Sequence, residues 1–273
     1  MRRLKTVILL LLSALVLPPA FAESTGEELI ELARKSDPRA FEFSQSLADI
    51  TPTEDGRSFT VWWQPKYFDA GKDTVFVSLH GSAGWATKGF SIWQPRIEER
   101  GYAFLGIQWW FGSGGAAEDY ASPRDIYGWI TAELRKRGIP AKHVIFSGFS
   151  RGSANSYAVT YLDTLEDEPS FAVTIANAGA MEEGYPPNRE FLEFTRDTQP
   201  FFGTHWILYC SENDEQRPGS CGQMQWTQST LEDLGGHVEK FFRDPEGPHG
   251  GFMHPLYLDE ALDVSDRLVS ESR

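Results

Sequence analysis

Apolar residues along the chain gather in short continuous runs, and between the runs they recur at helical spacing. Ser58–Trp63 (SFTVWW), Thr74–Leu79 (TVFVSL), Tyr102–Gln108, His143–Phe146, Phe171–Ala176, Trp206–Cys210 and Val238–Phe242 are rich in β-branched and aromatic residues and read as strands. Helices are predicted between them. Phe90–Arg100 is stopped by Gly101, and Pro123–Arg137 has Ser122 as N-cap and Gly138 as its stop. Arg151–Leu162, Met224–Leu234 (stopped by Gly235-Gly236) and Leu256–Ser270 complete the set. Strands alternating with helices imply βαβ units: an α/β fold with a mostly parallel central sheet flanked by helices on both faces. Runs that are apolar without alternation suit strands covered on both sides. In such sheets reactive groups collect beyond the carboxyl ends of the strands.

Three segments lie outside this rhythm. Ser24–Lys35 reads as a peripheral helix, with capping-box spacing at both Ser24/Glu27 and Thr25/Glu28 and an apolar face of Leu29, Ile30, Leu32 and Ala33. Met181–Pro200 interrupts the alternation after a strand and is a candidate lid. The first 22 residues read as a secretory signal peptide. Arg2, Arg3 and Lys5 precede an apolar Thr6–Leu17, and Ala20-Phe21-Ala22 forms a small-x-small cleavage pattern. An uncleaved anchor is the alternative; Pro18 and Pro19 oppose it. The expected organisation is a signal peptide (1–22), an N-terminal helical segment (23–57) and one catalytic α/β domain (58–273), in the periplasm or outside the cell.

Charge narrows the partners. Without the three cations of the first 22 residues, 22 basic residues face 39 acidic ones, a net charge of −17. Nucleic acid and anionic membrane surfaces are disfavoured partners for such a chain. No stable membrane anchor is expected after cleavage. The two cysteines, Cys210 and Cys221, read as one disulfide in an exported protein. Neither has histidine or carboxylate neighbours at ligand spacing, so no metal site and no cofactor are expected.

The chemistry sits at the strand ends. His143–Phe146 runs into Gly148-Phe149-Ser150-Arg151-Gly152, a G-x-S-x-G that occurs once in the chain. A strand-to-helix turn that tight forces the serine into a strained backbone. It also leaves room for almost no side chain two residues before and after, which Gly148 and Gly152 satisfy. Ser150 is then displayed at a helix N-terminus, where the N–H of Arg151 can meet an oxyanion. His80-Gly81-Ser82-Ala83-Gly84 follows another strand, and the N–H of Ser82 is the expected second donor, with Gly81 and Ala83 as alternatives. A serine nucleophile needs a base and a group that orients the base. Asp214 lies four residues past the strand ending at Cys210, with Glu212 and Glu215 as rivals. Among six histidines, His249 in PEGPHGG is the favoured base, and His254 beside Pro255 is the alternative. Ser150, Asp214 and His249 are therefore the candidate catalytic set.

HGSAG, GFSRG, SEND and PHGG, each after a strand, together resemble the α/β-hydrolase superfamily over roughly residues 58–272. Within it the chain resembles secreted esterases of the polyhydroxybutyrate-depolymerase and feruloyl-esterase-like group. The resemblance implies an α/β-hydrolase fold, Ser150 as nucleophile, Asp214 as acid, His249 as base and the N–H groups of Ser82 and Arg151 as oxyanion hole. The implied partner is a small-molecule or oligomeric ester. A peptidase or acyl-peptide hydrolase on the same fold is the alternative within enzymes; a non-catalytic binding protein of this fold is the alternative outside them.

Nine tryptophans are many for this length. Trp109-Trp110 follow the strand ending at Gln108, and Trp85 stands beside the oxyanion turn. All three are candidates for an aromatic wall against an acyl, alcohol or sugar group, the alternative being that they pack as core.

Overall fold

A computed structural model describes residues 24–195, 198–214 and 219–272. The signal-peptide reading falls outside these residues. Eight strands form one sheet: β1 (Asp49–Pro52), β2 (Phe59–Trp63), β3 (Val75–Leu79), β4 (Ala103–Ile107), β5 (Val144–Phe149), β6 (Phe171–Asn177), β7 (His205–Ser211) and β8 (His237–Asp244). Their order across the sheet is β1-β2-β4-β3-β5-β6-β7-β8. β1 and β2 run antiparallel to their neighbours, and every pairing from β4 to β8 is parallel.

Among the described residues eight α-helices flank the sheet: α1 (Gly26–Ser36), α2 (Pro38–Leu47), α3 (Ala86–Arg100), α4 (Pro123–Arg137), α5 (Arg151–Asp163), α6 (Pro186–Thr195), α7 (Cys221–Asp233) and α8 (Pro255–Glu271). The two-residue period of the strands divides the core. Phe76 and Ile145 join Leu29, Phe90 and Leu258 on the face covered by α1, α3 and α8. Val75, Val77, Val144 and Phe146 join Ile126 and Ile130 on the α4 face. β2 to β4 are buried at every position, which is why their apolar runs do not alternate.

Local capping explains where prediction and structure agree. α4 has the predicted bounds, because Ser122 and Asp125 close a capping box and Gly138 takes a left-handed φ of 68°. α1 uses the second of the two capping-box spacings, Thr25 with Glu28. α3 begins four residues before the predicted Phe90. Its first N–H, from Ala86, is capped at 2.9 Å by the Gln108 side chain, which arrives from the end of β4 and leaves no signal in the neighbouring sequence.

The segment 23–57 is more than helical. It supplies α2, capped by Asp37 with Pro38 at its start, and the edge strand β1. Within Met181–Pro200, Pro186–Thr195 forms α6, whose Phe191 stacks on Tyr161 of α5 with ring centroids 5.3 Å apart. Cys210, in β7, is disulfide-bonded to Cys221, the first residue of α7. Among the described residues no helix is long and apolar enough to cross a membrane.

Candidate active site

Between β5 and α5 the chain turns on Ser150, at φ 54° and ψ −118°. A non-glycine residue held there costs on the order of 1–3 kcal/mol, offset by its surroundings. Those surroundings are backbone packed on backbone. A Cβ added to Gly148 would fall 2.3 Å from the Gly152 carbonyl oxygen, and one added to Gly152 would fall 2.6 Å from the carbonyl oxygens of Leu79 and His80. Gly179, after β6, is a third such position, where a Cβ would lie 2.0 Å from the Ser150 carbonyl oxygen. The Ser150 N–H donates to the Asn177 carbonyl at 2.8 Å.

The structure brings His249 and Asp214 together, with Nδ1 of the imidazole 2.5 Å from Oδ2 of the carboxylate. The Asp214 side chain is almost fully buried. The Nε2 of His249 is buried and has no hydrogen-bond partner among the described residues, and His249 and Ser150 line one cavity. The Phe149 ring lies 5.0 Å from the imidazole. Gly219 packs so closely that a Cβ on it would lie 2.2 Å from Asp214 Oδ2 and 3.1 Å from His249 Cε1.

The rivals lie elsewhere. His254 is the N-cap of α8, its Nδ1 accepting the Leu256 N–H at 3.2 Å. Glu212 pairs with Arg243 at the surface. Glu215 falls outside the described residues.

The loop bearing His249 hangs from Asp244, the last residue of β8. Asp244 accepts from the Tyr209 hydroxyl at 2.9 Å, the Glu246 N–H at 3.1 Å and the Gly247 N–H at 2.7 Å. Burial works against its charge, but these bonds, with one from Tyr257, outweigh it and hold the carboxyl below its usual range. The Ser211 hydroxyl donates to the Gly247 carbonyl and ties the same loop to β7.

The turn after β3, the expected oxyanion turn, lies directly against the serine: a Cβ on Gly81 would be 3.3 Å from Ser150 Cβ. Of the three donors considered on this turn, the Ala83 N–H is engaged by the Tyr120 hydroxyl at 3.0 Å. His80 is buried under the turn, and burial pushes its pKa down to about 4, so it is neutral. Its Nδ1 lies 2.8 Å from the Gly81 carbonyl, and its Nε2 faces the Trp109 N–H at 3.5 Å. The proton therefore sits on Nδ1.

The cavity has a volume of about 440 Å³. Trp85, Lys88, Gly89, Ile92 and Trp93 line it at helical spacing, one face from the N-cap through α3, and Phe149, Asn177 and Met253 complete the wall. A larger cleft of about 600 Å³, lined by Gln199, Phe202 and His237, lies at the opposite end of the strands and holds none of the candidate catalytic groups. Among the described residues no cluster of three or more potential metal ligands occurs.

Two of the three tryptophans are not where an aromatic wall would need them. Trp109 is fully buried; its Nε1 donates to the His80 carbonyl at 3.0 Å and its ring packs on Tyr120. Trp110 stands edge-on behind Trp85, ring centroids 5.2 Å apart. Only Trp85 of the three lines the cavity. The reason is strand order: β3 lies between β4 and β5, so residues following β4 support the 80–84 turn from behind. No described residue of Met181–Pro200 lines the cavity either.

No family model and no curated protein sequence matches the chain. Solved structures do. An esterase structure from Rhizomucor miehei superposes with a TM-score of 0.62 at 14% identity, covering 94% of each chain. Esterase 2 of Thermogutta terrifontis, in a form phosphoramylated by tabun, gives 0.58 at 15% identity over 82% of this chain and 94% of that one. The acylaminoacyl peptidase of Pyrococcus horikoshii gives 0.52 at 17% identity over 80% of this chain and 40% of that one. With the sheet order above, these likenesses show that the chain has the α/β-hydrolase fold.

Proposed function

We propose that this α/β-hydrolase-fold chain is an exported carboxylic-ester hydrolase working through an acyl-enzyme. The observation that carries the reading is the strained Ser150 lining the same cavity as the Asp214–His249 pair. Ser150 Oγ attacks the ester carbonyl while His249 Nε2 takes its proton. Asp214 keeps the imidazole proton on Nδ1 and stabilises the cation that forms. The N–H of Arg151, unpaired within its helix as a first-turn donor, and that of Ser82 or Gly81 receive the oxyanion. His249 then protonates the departing alcohol. Water, activated by the same base, cleaves the acyl-enzyme and regenerates the serine.

The cavity suits an apolar or aromatic acyl group, since Trp85, Trp93, Phe149 and Met253 dominate its wall. Among the described residues Lys88 is the one cation lining it. These rings favour the feruloyl-esterase side of the resemblance, so a ferulate ester belongs in the substrate screen. The buried disulfide supports export, together with the signal-like leader. A peptidase is the second reading, favoured by the likeness to the acylaminoacyl peptidase.

Labelling with a fluorophosphonate, lost in Ser150→Ala, is the expected result. Turnover of p-nitrophenyl esters should far exceed that of amino-acid p-nitroanilides. Folded wild-type protein that neither labels nor cleaves would overturn the proposal, and preferential anilide cleavage would move it to the peptidase reading.

A further inference from the structure

The two expected oxyanion donors come from different turns, one after β3 and one after β5. Nothing in the local covalent geometry of either turn sets their separation, yet both must reach one oxygen at about 3 Å. A chain of contacts joins them. The Arg151 guanidinium lies over the Tyr120 ring, 4.1 Å from its centroid. The same guanidinium donates to the Gly115 carbonyl at 3.0 Å and hydrogen-bonds Tyr185. Tyr120 passes the restraint on, because its hydroxyl accepts the N–H of Ala83 at 3.0 Å. Ala83 holds a left-handed φ of 49°, a conformation that an alanine keeps only under restraint.

We propose that Tyr120 is a positioning residue for the oxyanion site, and that the Arg151 side chain holds Tyr120 in place. This inference rests on the esterase reading. The residue whose N–H would be one donor thus uses its side chain to brace the turn that carries the other. The restraint closes a ring: Arg151 backbone, Arg151 side chain, Tyr120, Ala83, and back across Gly81 to Ser150. Tyr120 does not itself line the cavity, so its effect on a substrate is indirect. It should act on transition-state stabilisation and leave ground-state binding alone.

Tyr120→Phe removes only the hydroxyl and keeps the ring against Trp109 and Arg151. Ala83 is exposed, so its freed N–H can bond water and the fold is retained. The expected result is a kcat on a p-nitrophenyl ester reduced about tenfold with KM within about twofold. Affinity for an alkyl boronic acid, which forms a tetrahedral adduct on the serine, should weaken by the same factor. Arg151→Met should move both quantities in the same direction, and Arg151→Lys should recover part of the loss. A purely structural role for Tyr120 would lower the melting temperature and spare the boronate affinity. An active wild type whose Tyr120→Phe and Arg151→Met variants keep kcat and boronate affinity within about twofold overturns this inference alone. A wild type that cleaves no ester removes the esterase reading, and this inference with it.

Discussion

The Tyr209 hydroxyl donates to Asp244 Oδ2 at 2.9 Å, joining the strand that precedes Asp214 to the strand that precedes His249. The proposed acid and base are therefore registered to each other by a buried bond one layer beneath them. Tyr209→Phe should cost about 2 kcal/mol in urea unfolding, as for a buried hydrogen bond to a charged acceptor. Its kcat should fall severalfold, because the 245–251 loop loses part of its suspension. Unchanged stability and unchanged turnover would both contradict that role.

Gly219 tests the Asp214–His249 geometry from the other side. A methyl group there would meet Asp214 Oδ2 at 2.2 Å and the Ala178 carbonyl at 2.8 Å, so the carboxylate or the loop has to shift. Gly219→Ala should lower kcat at least about tenfold while circular dichroism stays native. Full activity in the folded variant would mean that the pair tolerates displacement and does not govern the rate.

His80 gives the molecule a definite pH response. It is neutral in the fold, with its pKa lowered by burial from 6.5 to about 4. The unfolded chain binds a proton there below about pH 6.5 and the folded chain does not, so stability falls as pH drops through this window. The full contribution is present above pH 6.5, and its loss by pH 4 amounts to roughly 3 kcal/mol. His80→Asn, followed by denaturant titration at each pH, should show a shallower decline over the same range. Parallel curves for the two proteins would refute the assignment.

The Cys210–Cys221 bridge spans 11 positions in sequence and encloses the residue proposed as the acid. Constraining a loop of that size in the unfolded chain is worth about 3 kcal/mol in the chain-entropy account. Cys210→Ala/Cys221→Ala should lose that much by guanidinium denaturation and should also lose turnover as the Asp214 loop loosens. Both half-cystines are buried, so the folded protein should resist reductant until it is partly unfolded.

The tryptophans separate lining from support. Trp85→Ala should raise KM for aromatic esters about tenfold and change the order of preference among acyl groups, because it opens the cavity wall. Trp109→Phe should instead cost about 1–2 kcal/mol of stability through the lost bond to the His80 carbonyl, and leave that order alone. Steady-state kinetics on a panel of short, long and aromatic esters distinguishes them.

What is legible in the sequence is what local chemistry writes. The bounds of α4 follow from Ser122, Pro123 and Gly138, and the need for Gly148 and Gly152 follows from the tightness of one turn. Asp214 and His249 are nominated by their order along the chain and their places after strands. What escapes notice comes from elsewhere in the fold. The cap on α3 is a glutamine from another strand, and Gly179 is required by a carbonyl 29 residues upstream. β1 and α2 lie in a segment whose apolar residues are too few to mark them. The placement of Trp109 and Trp110 turns on β3 being inserted between β4 and β5, and periodicity yields strands without their neighbours.

The backbone of Ser150 has a corollary for descent. Its φ of 54° and ψ of −118° mirror an ordinary extended conformation, comfortable for glycine and for no other residue. A Ser150→Gly lineage would keep the architecture and gain on the order of 1 kcal/mol in robustness while surrendering its proposed reactivity. Selection for durability alone would favour glycine at this position, so a serine there is what the proposed reactivity calls for.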